Sequence, residues 1–400
     1  MKPLSIPYFT ATSCLGRGLA ATLAALEQSR SGLERCDFET AAIETRIGKV
    51  GGLDAVALPE ALAAFDCRNN RLALLGLEQD DFASRAREAA ARWGADRVGV
   101  FIGTSTAGIL ETEIAFRHRD PASGALPAGF DYRHRHNSFS VSDFVRRALA
   151  LTGPAASLCT ACSSSAKAFA AAERMIRAGL IDAAVVGGVD TLCLTTLYGF
   201  HALQLTAPGA CRPFDRRRDG LSIGEAAAFA LVERANSSAS ASMIQLLGCG
   251  ESSDAYHMSS PHPQGAGARM AMQRALDAAG LEANRVDYIN LHGTGTPSND
   301  SAEAAAVHAL FGDATACSST KAATGHTLGA AGALEAVVCA LALRHGFLPA
   351  GLNRCEPDPE LKVNYLTTRR SAALQTAMSN SFGFGGVNCS LILGRSTPCG

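Results

Sequence analysis

The sequence predicts an α/β fold in which β-sheets are buried between layers of helices. Short β-rich runs alternate along the chain with Ala-rich stretches of helical length, a pattern typical of layered α/β proteins. Two predicted helices, at 163–178 and 327–345, are dense in Ala and Gly and carry little polar surface, as expected of helices packed between sheets. A strand ending in GTST at 103–106 also resembles one ending in GTGT at 293–296, 190 residues later. This weak repeat indicates two similar halves.

The elements follow in order from the same pattern. The first 26 residues predict a strand, a Gly turn and a helix, and their polar residues break any signal-peptide core. Further strands are predicted at 97–105, 155–161, 182–190, 226–233, 243–250, 286–293, 314–319, 377–383 and 388–394, and further helices at 163–178, 265–279, 299–311 and 327–345. A polar joint at 236–242 divides the chain into an N-terminal half, 1–240, and a C-terminal half, 241–400.

Composition excludes several classes of protein. With 400 residues, 47% hydrophobic and 18% charged, the chain is neither disordered nor fibrous. Its net charge of -1 gives no basic field for nucleic acid or anionic membranes. The longest apolar segment, Leu328 to Leu343, contains Glu335, so we expect no membrane span. The thirteen cysteines are scattered and odd in number, which disfavours a disulfide framework and predicts a reducing, cytoplasmic location.

The first chemical motif is TACSSS at 160–165, where a buried strand is predicted to run into an Ala-rich helix. A thiol at Cys162 would meet the positive end of the helix dipole, which lowers a thiol pKa and favours the nucleophilic thiolate. Cys159 and Cys162 also form a C-x-x-C pair. No second Cys or His pair has zinc-finger spacing, and Cys159 falls inside the predicted strand, so metal and redox roles are disfavoured.

Two further motifs carry histidines. In YINLHGTGTPSND, a strand delivers His292 into a Gly/Thr loop before a helix, and the missing third Gly disfavours a dinucleotide fold. In SSTKAATGHTLGAAGALE, Lys321 and His326 precede the apolar helix that contains Glu335. A carboxylate in so apolar a helix needs a partner, and Lys321 is the natural one. Cys162, His292 and His326 therefore form a potential Cys/His/His set.

The last motif is SNSFGFGGVN at 379–388, a glycine-dense turn between two terminal strands. A plain hairpin explains the glycines. Phe382 and Phe384 could also gate a pocket, and the backbone N–H groups of the turn could bind an oxyanion.

These four motifs, in this order and together with RPFDRRRDGLSIGEAA at 212–227, resemble the β-ketoacyl-[acyl-carrier-protein] synthases of the elongating type. That family comprises synthases I and II of fatty-acid synthesis and related polyketide ketosynthases, and the resemblance covers essentially the whole chain. It implies a thiolase-like five-layered αβαβα fold built from two similar halves, and a dimer. It also implies decarboxylative condensation of malonyl carrier protein with an acyl chain held as a thioester on Cys162.

The resemblance implies a role for each site residue. Cys162 would be the nucleophile, His292 and His326 would act on the malonyl thioester, and Lys321 with Glu335 would form the supporting ion pair. The backbone N–H groups of Cys162 and Phe384 would bind the oxyanion, with Phe384 and Phe382 at the acyl gate. Thr294 and Thr296 would hold the phosphopantetheine arm of the acyl carrier protein. No metal, nucleotide or other cofactor is implied.

The chain departs from the family pattern in places. It has GTSTAGI at 103–109 where a GSGxGG loop is common, which places Thr106 at an acyl-pocket position and puts ordinary saturated-chain specificity in doubt. The loop at 203–211 is short, so carrier contacts can differ. Arg68, Arg71, Arg133 and Arg135 are potential carrier-docking cations. GTSTAGI and TACSSSAKAF also look similar to ketosynthases of aryl-polyene pigment clusters, which can pair with a chain-length-factor subunit.

Two rival identities and the composition of the dimer remain open at this point. The chain could be a noncatalytic chain-length factor, although such a subunit does not need Cys162, His292 and His326. It could be an initiating synthase or a thiolase that uses coenzyme A, although initiating synthases carry Asn where this chain has His326. The dimer could be formed with a second copy or with a chain-length-factor-like partner.

Overall fold

The computed structural model describes residues 2–235 and 243–396. The joint predicted at 236–242 therefore lies outside the described residues. The strands are β1 (Leu4–Ser13), β2 (Gly16–Arg17), β3 (Glu34–Arg35), β4 (Arg46–Gly48), β5 (Val98–Gly103), β6 (Ala155–Leu158), β7 (Ala183–Asp190), β8 (Ile223–Gly224), β9 (Ala226–Arg234), β10 (Ile244–Ser253), β11 (Tyr288–Asn290), β12 (Ala316–Ser318), β13 (Phe347–Leu348), β14 (Asn364–Tyr365), β15 (Arg370–Ser371), β16 (Thr376–Gly383) and β17 (Val387–Arg395). The α-helices are α1 (Gly18–Glu27), α2 (Arg68–Leu77), α3 (Phe82–Trp93), α4 (Ile109–Arg117), α5 (Phe139–Ala148), α6 (Ser164–Arg177), α7 (Leu194–Ala202), α8 (Ala266–Ala279), α9 (Pro297–Phe311), α10 (Lys321–Thr324) and α11 (Ala331–His345).

The two halves have the same sheet topology. In the N-terminal half the strand order is β1-β9-β7-β5-β6, and in the C-terminal half it is β10-β17-β16-β11-β12, with β14 added at the outer edge. The corresponding pairs also agree in direction: β7-β5-β6 and β16-β11-β12 are parallel, whereas β9 and β17 are antiparallel to both of their neighbours. This shared order confirms the two similar halves that the GTST and GTGT repeat predicted.

The half-sheets meet at the start of β1, where Leu4 to Ile6 pair with Ile244 to Leu246. Helices α6 and α11 contact each other and lie between the two half-sheets, while α2, α3 and α5 pack on the outer face of one half and α8 on that of the other. The small residues let the central helices approach closely, because a Cβ added at Gly332 would lie 2.7 Å from the backbone nitrogen of Ala166. The arrangement is the expected five-layered αβαβα fold.

The central position of α11 also explains its composition. Among the described residues, the segment Leu328–His345 alone is long and apolar enough to span a membrane, with a mean hydropathy of 1.4. However, 89% of it is buried inside the molecule, because it packs between two sheets. We therefore interpret it as a core helix.

Most predicted boundaries differ from the observed ones by a few residues. The strand predicted at 155–161 ends at Leu158, because the next residues form a tight turn. The helix predicted from 299 begins at Pro297, and Thr296 is its N-cap residue. Proline fits the first helical turn because its missing N–H would have no helical partner there.

Candidate active site

Cys162 lies in a tight turn between β6 and α6. Ala161 has a φ of +52°, an uncommon left-handed conformation for a residue with a Cβ. Ser163 is the N-cap residue of α6, so Cys162 lies just before the helix, as predicted. The left-handed residue reverses the chain and directs the thiol away from the strand.

The serines of TACSSS hold this turn. Ser163 Oγ donates to the Thr160 carbonyl at 2.9 Å, and Ser164 Oγ donates to the Ala161 carbonyl while accepting the Thr160 N–H at 2.9 Å. The start of α6, just after the turn, also needs a small neighbour, because a Cβ at Gly103 would lie 2.2 Å from the Ser165 nitrogen. The serine run therefore serves the geometry of the nucleophile.

The predicted lowering of the Cys162 pKa is wrong. Complete burial raises the pKa of this thiol to about 11, although the charge of Lys321 and the N–H groups of Phe384 and Cys162 itself lower it. Loss of solvation outweighs the helix end here. The resting residue is therefore a thiol, which needs substrate or a neighbouring group to become nucleophilic.

His326 is the nearest chemical partner of Cys162, with its Nε2 3.0 Å from Sγ. The backbone of His326 is fixed by the RPFDRRRDGLSIGEAA motif: its N–H donates to the Ser222 carbonyl at 2.7 Å, and its carbonyl accepts the Gly224 N–H at 3.0 Å. This pairing explains why a motif about a hundred residues upstream belongs to the active site.

His292 follows β11 and lies across from His326, with ring centroids 5.2 Å apart and an interplanar angle of 84°. Its backbone is held by Glu303 of α9, whose two carboxylate oxygens accept the N–H groups of His292 and Gly293 at 2.8 Å each. Burial raises the pKa of Glu303 to about 7, against these two hydrogen bonds.

Lys321 and Glu335 form the predicted ion pair, with side chains only 1% and 3% exposed. Lys321 Nζ donates to Glu335 and to the carbonyl of His292, and lies 3.4 Å from His292 Nδ1. Burial raises the pKa of Glu335 to about 7, although Lys321 lowers it. Lys321 therefore positions His292 and also balances the charge of Glu335 inside α11.

The same contacts fix the histidine tautomers. The Leu328 N–H donates to His326 Nδ1 at 3.3 Å, and Lys321, which has only protons to offer, approaches His292 Nδ1. Burial and the charge of Lys321 hold the pKa of both imidazoles well below the usual range, and His326 also contributes at His292. We therefore assign two neutral rings that carry their proton on Nε2.

The terminal loop closes the site from the other side. A Cβ at Gly383 would lie 2.8 Å from the Thr160 carbonyl and 3.3 Å from the Cys162 nitrogen, so only glycine allows this approach. Phe384 follows, and its N–H faces the Cys162 sulfur. Its ring packs on Phe200 of α7 with centroids 5.5 Å apart, while Phe382 packs on His292 with centroids 6.0 Å apart.

These groups share one open cleft, which contains about 550 Å³ of empty space including its mouth. Thr294 and Thr296 line it, and their hydroxyls are 2.8 Å apart. The lining consists of Cys162, Phe200, Leu205, Leu221, Asp254, Ser259, Ser260, Pro261, His292, Thr294, Thr296, Ser298, Asn299, His326, Phe382, Gly383, Phe384, Gly386 and Asn388. The cleft therefore unites the predicted nucleophile, histidines, threonines and gate.

Thr106 is placed differently from the other predicted residues. It is buried and does not line this cleft. Its hydroxyl donates to Asp190 at 2.7 Å and accepts the Thr191 N–H at 3.2 Å. Its position at an acyl pocket remains a prediction.

The arginines differ in availability. The prediction that Arg68 docks the carrier protein is wrong. Arg68 is 7% exposed and binds Glu225 through two nitrogens, at 2.6 and 3.1 Å. Arg71 is half-buried and bidentate to Asp66, at 2.6 and 2.7 Å. Arg133 is exposed, whereas Arg135 is partly buried.

The ligating atoms of Cys162, His292 and His326 lie within 4.8 Å of one another, which is close enough for a metal ion to bind to all three. Lys321 lies beside this set and contacts His292 Nδ1. Its positive charge disfavours a cation between the two rings. The donor set fits an anion, such as an enolate oxygen, better than a metal ion.

Sequence reasoning missed two buried acids. Glu303 is eleven residues after His292 on the next helix, and Asp190 ends the otherwise apolar strand β7. A carboxylate inside a buried element was the available signal in both cases, as it was for Glu335.

Comparison with known proteins identifies the family of the chain. The model of the beta-ketoacyl synthase N-terminal domain matches residues 76–238, and that of the C-terminal domain matches 243–354. The 3-oxoacyl-[acyl-carrier-protein] synthase 2 of Rhizobium meliloti (strain 1021) is 42% identical over 262 residues, a match that spans 62% of this chain and 62% of that protein. Nodulation protein E of Rhizobium meliloti is 35% identical over 303 residues, 74% of this chain and 75% of that protein.

A solved structure extends the likeness to the whole chain. A ketosynthase from Xenorhabdus doucetiae, determined in complex with its chain length factor, is 39% identical and superimposes with a TM-score of 0.89. The match covers 99% of this chain and 98% of that chain. By its domains, its fold and its relatives, the chain belongs to the beta-ketoacyl synthase family.

Proposed function

We propose that the protein is a β-ketoacyl-[acyl-carrier-protein] synthase that condenses malonyl carrier protein with an acyl chain held on Cys162. The observation that carries this proposal is the pair of neutral imidazoles whose Nε2–H groups face the cleft beside the Cys162 sulfur. A simple acyltransferase needs a nucleophile and an oxyanion site. Two additional neutral donors suit an enolate.

In the first half-reaction, the Cys162 sulfur attacks the thioester carbonyl of an acyl carrier protein. The tetrahedral oxyanion is bound by the N–H groups of Cys162 and Phe384, which already face the sulfur. The C–S bond to phosphopantetheine breaks, and the thiol proton goes to the leaving thiolate. The products are acyl-Cys162 and free carrier protein, as in a ping-pong cycle.

In the second half-reaction, malonyl carrier protein enters the same cleft. Breaking the bond to its carboxylate releases carbon dioxide and leaves the electron pair as an enolate. The Nε2–H groups of His292 and His326 donate to the enolate oxygen, and a neutral donor is suited to a charge that forms during the reaction. The enolate carbon then attacks the acyl-Cys162 carbonyl, and the C–S bond to Cys162 breaks to give β-ketoacyl carrier protein. The Cys162 thiolate takes a proton from water, which restores the thiol.

The resemblance and the donor set together support a reaction without a metal ion or resident cofactor. Thr294 and Thr296, which line the mouth, are proposed to bind the phosphopantetheine arm by hydrogen bonds. Chelator treatment is expected to leave condensation unchanged. Loss of activity that added metal restores would contradict this part of the proposal.

The test separates acylation from condensation. Intact mass spectrometry follows acyl transfer from acyl carrier protein, and product analysis follows condensation with malonyl carrier protein. His292→Ala and His326→Ala are expected to accept the acyl group but to form no β-ketoacyl product, whereas Cys162→Ala is expected to gain no acyl mass. Normal condensation by either histidine variant would refute the role of that residue.

Cys193→Ala provides a matched control. Burial also raises the pKa of the Cys193 thiol to about 11, but this residue lies outside the cleft. We expect it to acylate and condense like the wild type. An acyl group on Cys193 or another cysteine, with none on Cys162, would overturn the nucleophile assignment.

The alternative of a noncatalytic chain-length factor is not favoured. His326 contacts the Cys162 sulfur, Lys321 contacts both Glu335 and His292, and the two imidazole rings pack edge to face. Initiating synthases carry Asn where His326 contacts the sulfur here. Condensing activity of the isolated chain or its complex decides between these alternatives.

A dimeric partner is also proposed, with either a second copy or a chain-length-factor-like chain. The edge strand β6 is uncharged and partly exposed along its length. Phe116, Tyr132 and Phe139 are exposed, and Phe139 begins α5, which packs on β6. The similar Xenorhabdus ketosynthase was solved with its chain length factor. Light scattering of the chain alone, and after co-expression with a chain-length-factor-like chain, would distinguish a homodimer from a heterodimer.

The cytoplasm is the proposed location, and a specialised polyketide, such as an aryl polyene, is the proposed product. The cysteines within the described residues are all free thiols, which suits a reducing compartment. The proposed polyketide product is supported by GTSTAGI and TACSSSAKAF, which look similar to the corresponding segments of aryl-polyene ketosynthases. Competition between an aryl-enoyl and a saturated acyl carrier protein of equal chain length would test it, and preference for the saturated chain would refute it.

A further inference from the structure

We propose that Asp190 is a positioning residue for His326 and Cys162. Its carboxylate joins the Thr104–Ala107 turn to the segment that follows His326. This role rests on the proposed condensing function only for its effect on turnover. Its effect on the reactivity of Cys162 can be measured without any carrier protein.

Asp190 ends β7 and is completely buried. Its Oδ1 accepts the hydroxyls of Thr104 and Thr106 at 2.8 and 2.7 Å and the N–H groups of Ser105 and Thr106 at 2.8 Å each. These four contacts saturate one oxygen and fix the turn after β5. A carboxylate is the side chain that can accept so many donors at once.

The second oxygen reaches the catalytic segment. Oδ2 accepts the Gly329 N–H and lies 3.0 Å from the Ser105 nitrogen. Gly329 follows Leu328, whose N–H in turn donates to His326 Nδ1. Leu328 has a φ of +51°, an uncommon conformation that needs support from its neighbours. The bond from Gly329 to Asp190 supplies that support and so fixes the tautomer of His326.

The turn also contacts the nucleophile. Ser105 Oγ donates to the carbonyl of Ala161 at 3.3 Å, and Ala161 is the left-handed residue immediately before Cys162. Asp190 therefore connects the two segments whose side chains, His326 Nε2 and Cys162 Sγ, are 3.0 Å apart. Loosening it should lengthen that contact.

Charge and positioning predict opposite effects on the thiol. The negative charge of Asp190 by itself raises the pKa of Cys162, so removing only the charge would speed alkylation of the sulfur. If Asp190 instead positions His326, its loss weakens the Nε2–H contact that stabilises the thiolate, and alkylation slows. The sign of the change therefore distinguishes the two roles.

The experiment measures iodoacetamide alkylation of Cys162 at one fixed pH, in full-length protein whose folding is checked by thermal melting. Asp190→Asn keeps one acceptor oxygen but places an amide group against the Gly329 N–H. We expect alkylation to slow by roughly tenfold or more, and kcat for condensation to fall by roughly 10- to 100-fold with little change in KM for the carrier protein. Thr104→Val is the matched control. It removes one donor to Asp190 Oδ1 and the acceptor of the Ala107 N–H, both within the turn, and leaves the bond from Gly329 to Asp190 Oδ2 in place. Its alkylation rate should stay within about twofold of the wild type.

Gly329→Ala tests the same contact from the other side and guards against misfolding of the first variant. Its Cβ would lie 2.7 Å from Asp190 Oδ2 and 2.8 Å from the Ser105 nitrogen, so we expect it to slow alkylation as well. Alkylation at or above the wild-type rate in a folded variant would overturn the proposal, as would equal slowing by Thr104→Val. Loss of folding in both variants would make Asp190 merely structural. Failure of the wild type to condense would instead refute the proposed function and leave the alkylation result standing.

Discussion

Replacing Lys321 by Met should cost the protein both stability and activity, and a second replacement should restore only the stability. Lys321 and Glu335 are 1% and 3% exposed, so breaking the pair leaves a carboxyl group without a partner in the central layer. Glu335 Oε2 already has no hydrogen-bond partner among the described residues. We expect Lys321→Met to lower the free energy of unfolding by about 3–5 kcal/mol.

The double variant Lys321→Met with Glu335→Leu removes both charges and keeps apolar volume. A buried ion pair replaced by packed apolar side chains is often neutral in stability. One cost remains, because the His292 carbonyl loses the Lys321 donor, and an unpaired buried carbonyl costs about 1–3 kcal/mol. The double variant should therefore be more stable than Lys321→Met, although less stable than the wild type.

Activity should not return with stability. Lys321 also faces His292 Nδ1 at 3.4 Å, and no group in the double variant replaces that contact. Urea unfolding of the four proteins of the double-mutant cycle gives the coupling free energy, and decarboxylation of malonyl carrier protein gives the activity. A double variant as unstable as Lys321→Met would refute the electrostatic reasoning, and normal decarboxylation by it would refute the role of Lys321 at His292.

Three further changes test other parts of the site. Burial raises the pKa of Glu303 from 4.5 to about 7, so the protonated acid contributes roughly 3 kcal/mol of stability that is fully present below about pH 4.5 and is lost as the pH rises through about 7. The pKa of Glu335 is also raised to about 7, so Glu303→Gln should reduce this pH dependence in unfolding measurements without abolishing it. An unchanged pH profile would contradict the prediction. Gly383→Ala should leave the fold intact but slow alkylation of Cys162 by roughly tenfold or more, because its Cβ would crowd the Cys162 turn, and an unchanged rate would refute the close approach. Arg68→Ala should destabilise the protein by about 3–5 kcal/mol without a specific change in KM for the carrier protein. Arg133→Ala should raise KM for the carrier protein at unchanged stability. The reverse result would return Arg68 to the docking surface.

The sequence was informative where a residue type announces its chemistry. Cys162, His292 and His326 each stand beside glycines, serines or threonines at the end of a strand or the start of a helix, and the structure brings all three to one cleft. Glu335 in an apolar helix required a cation, and Lys321 is that cation. The local sequence pattern was sufficient in these cases because a reactive or charged side chain stands out within a largely apolar segment.

The sequence was uninformative where the outcome depends on distant packing. The pKa of Cys162 follows from complete burial, which the position at a helix start does not reveal. Arg68 looked like a surface cation, but Glu225, 157 residues away, holds it in the interior. Asp190 likewise receives its donors from segments about 85 and 139 residues distant. Such partners become visible only when the fold is known.

The repeat that the sequence only suggested explains why the reactive groups meet. The central helices α6 and α11 follow corresponding strands, β6 and β12, of the two halves. Cys162 precedes α6 and His326 precedes α11. Because these helices contact each other between the sheets, the segments that precede them meet, and their side chains come within 3.0 Å. His292 occupies in the C-terminal half, after β11, the place that the Thr104–Ala107 turn occupies after β5. One half therefore supplies the nucleophile and the other supplies both imidazoles, so neither half alone contains the complete reactive set.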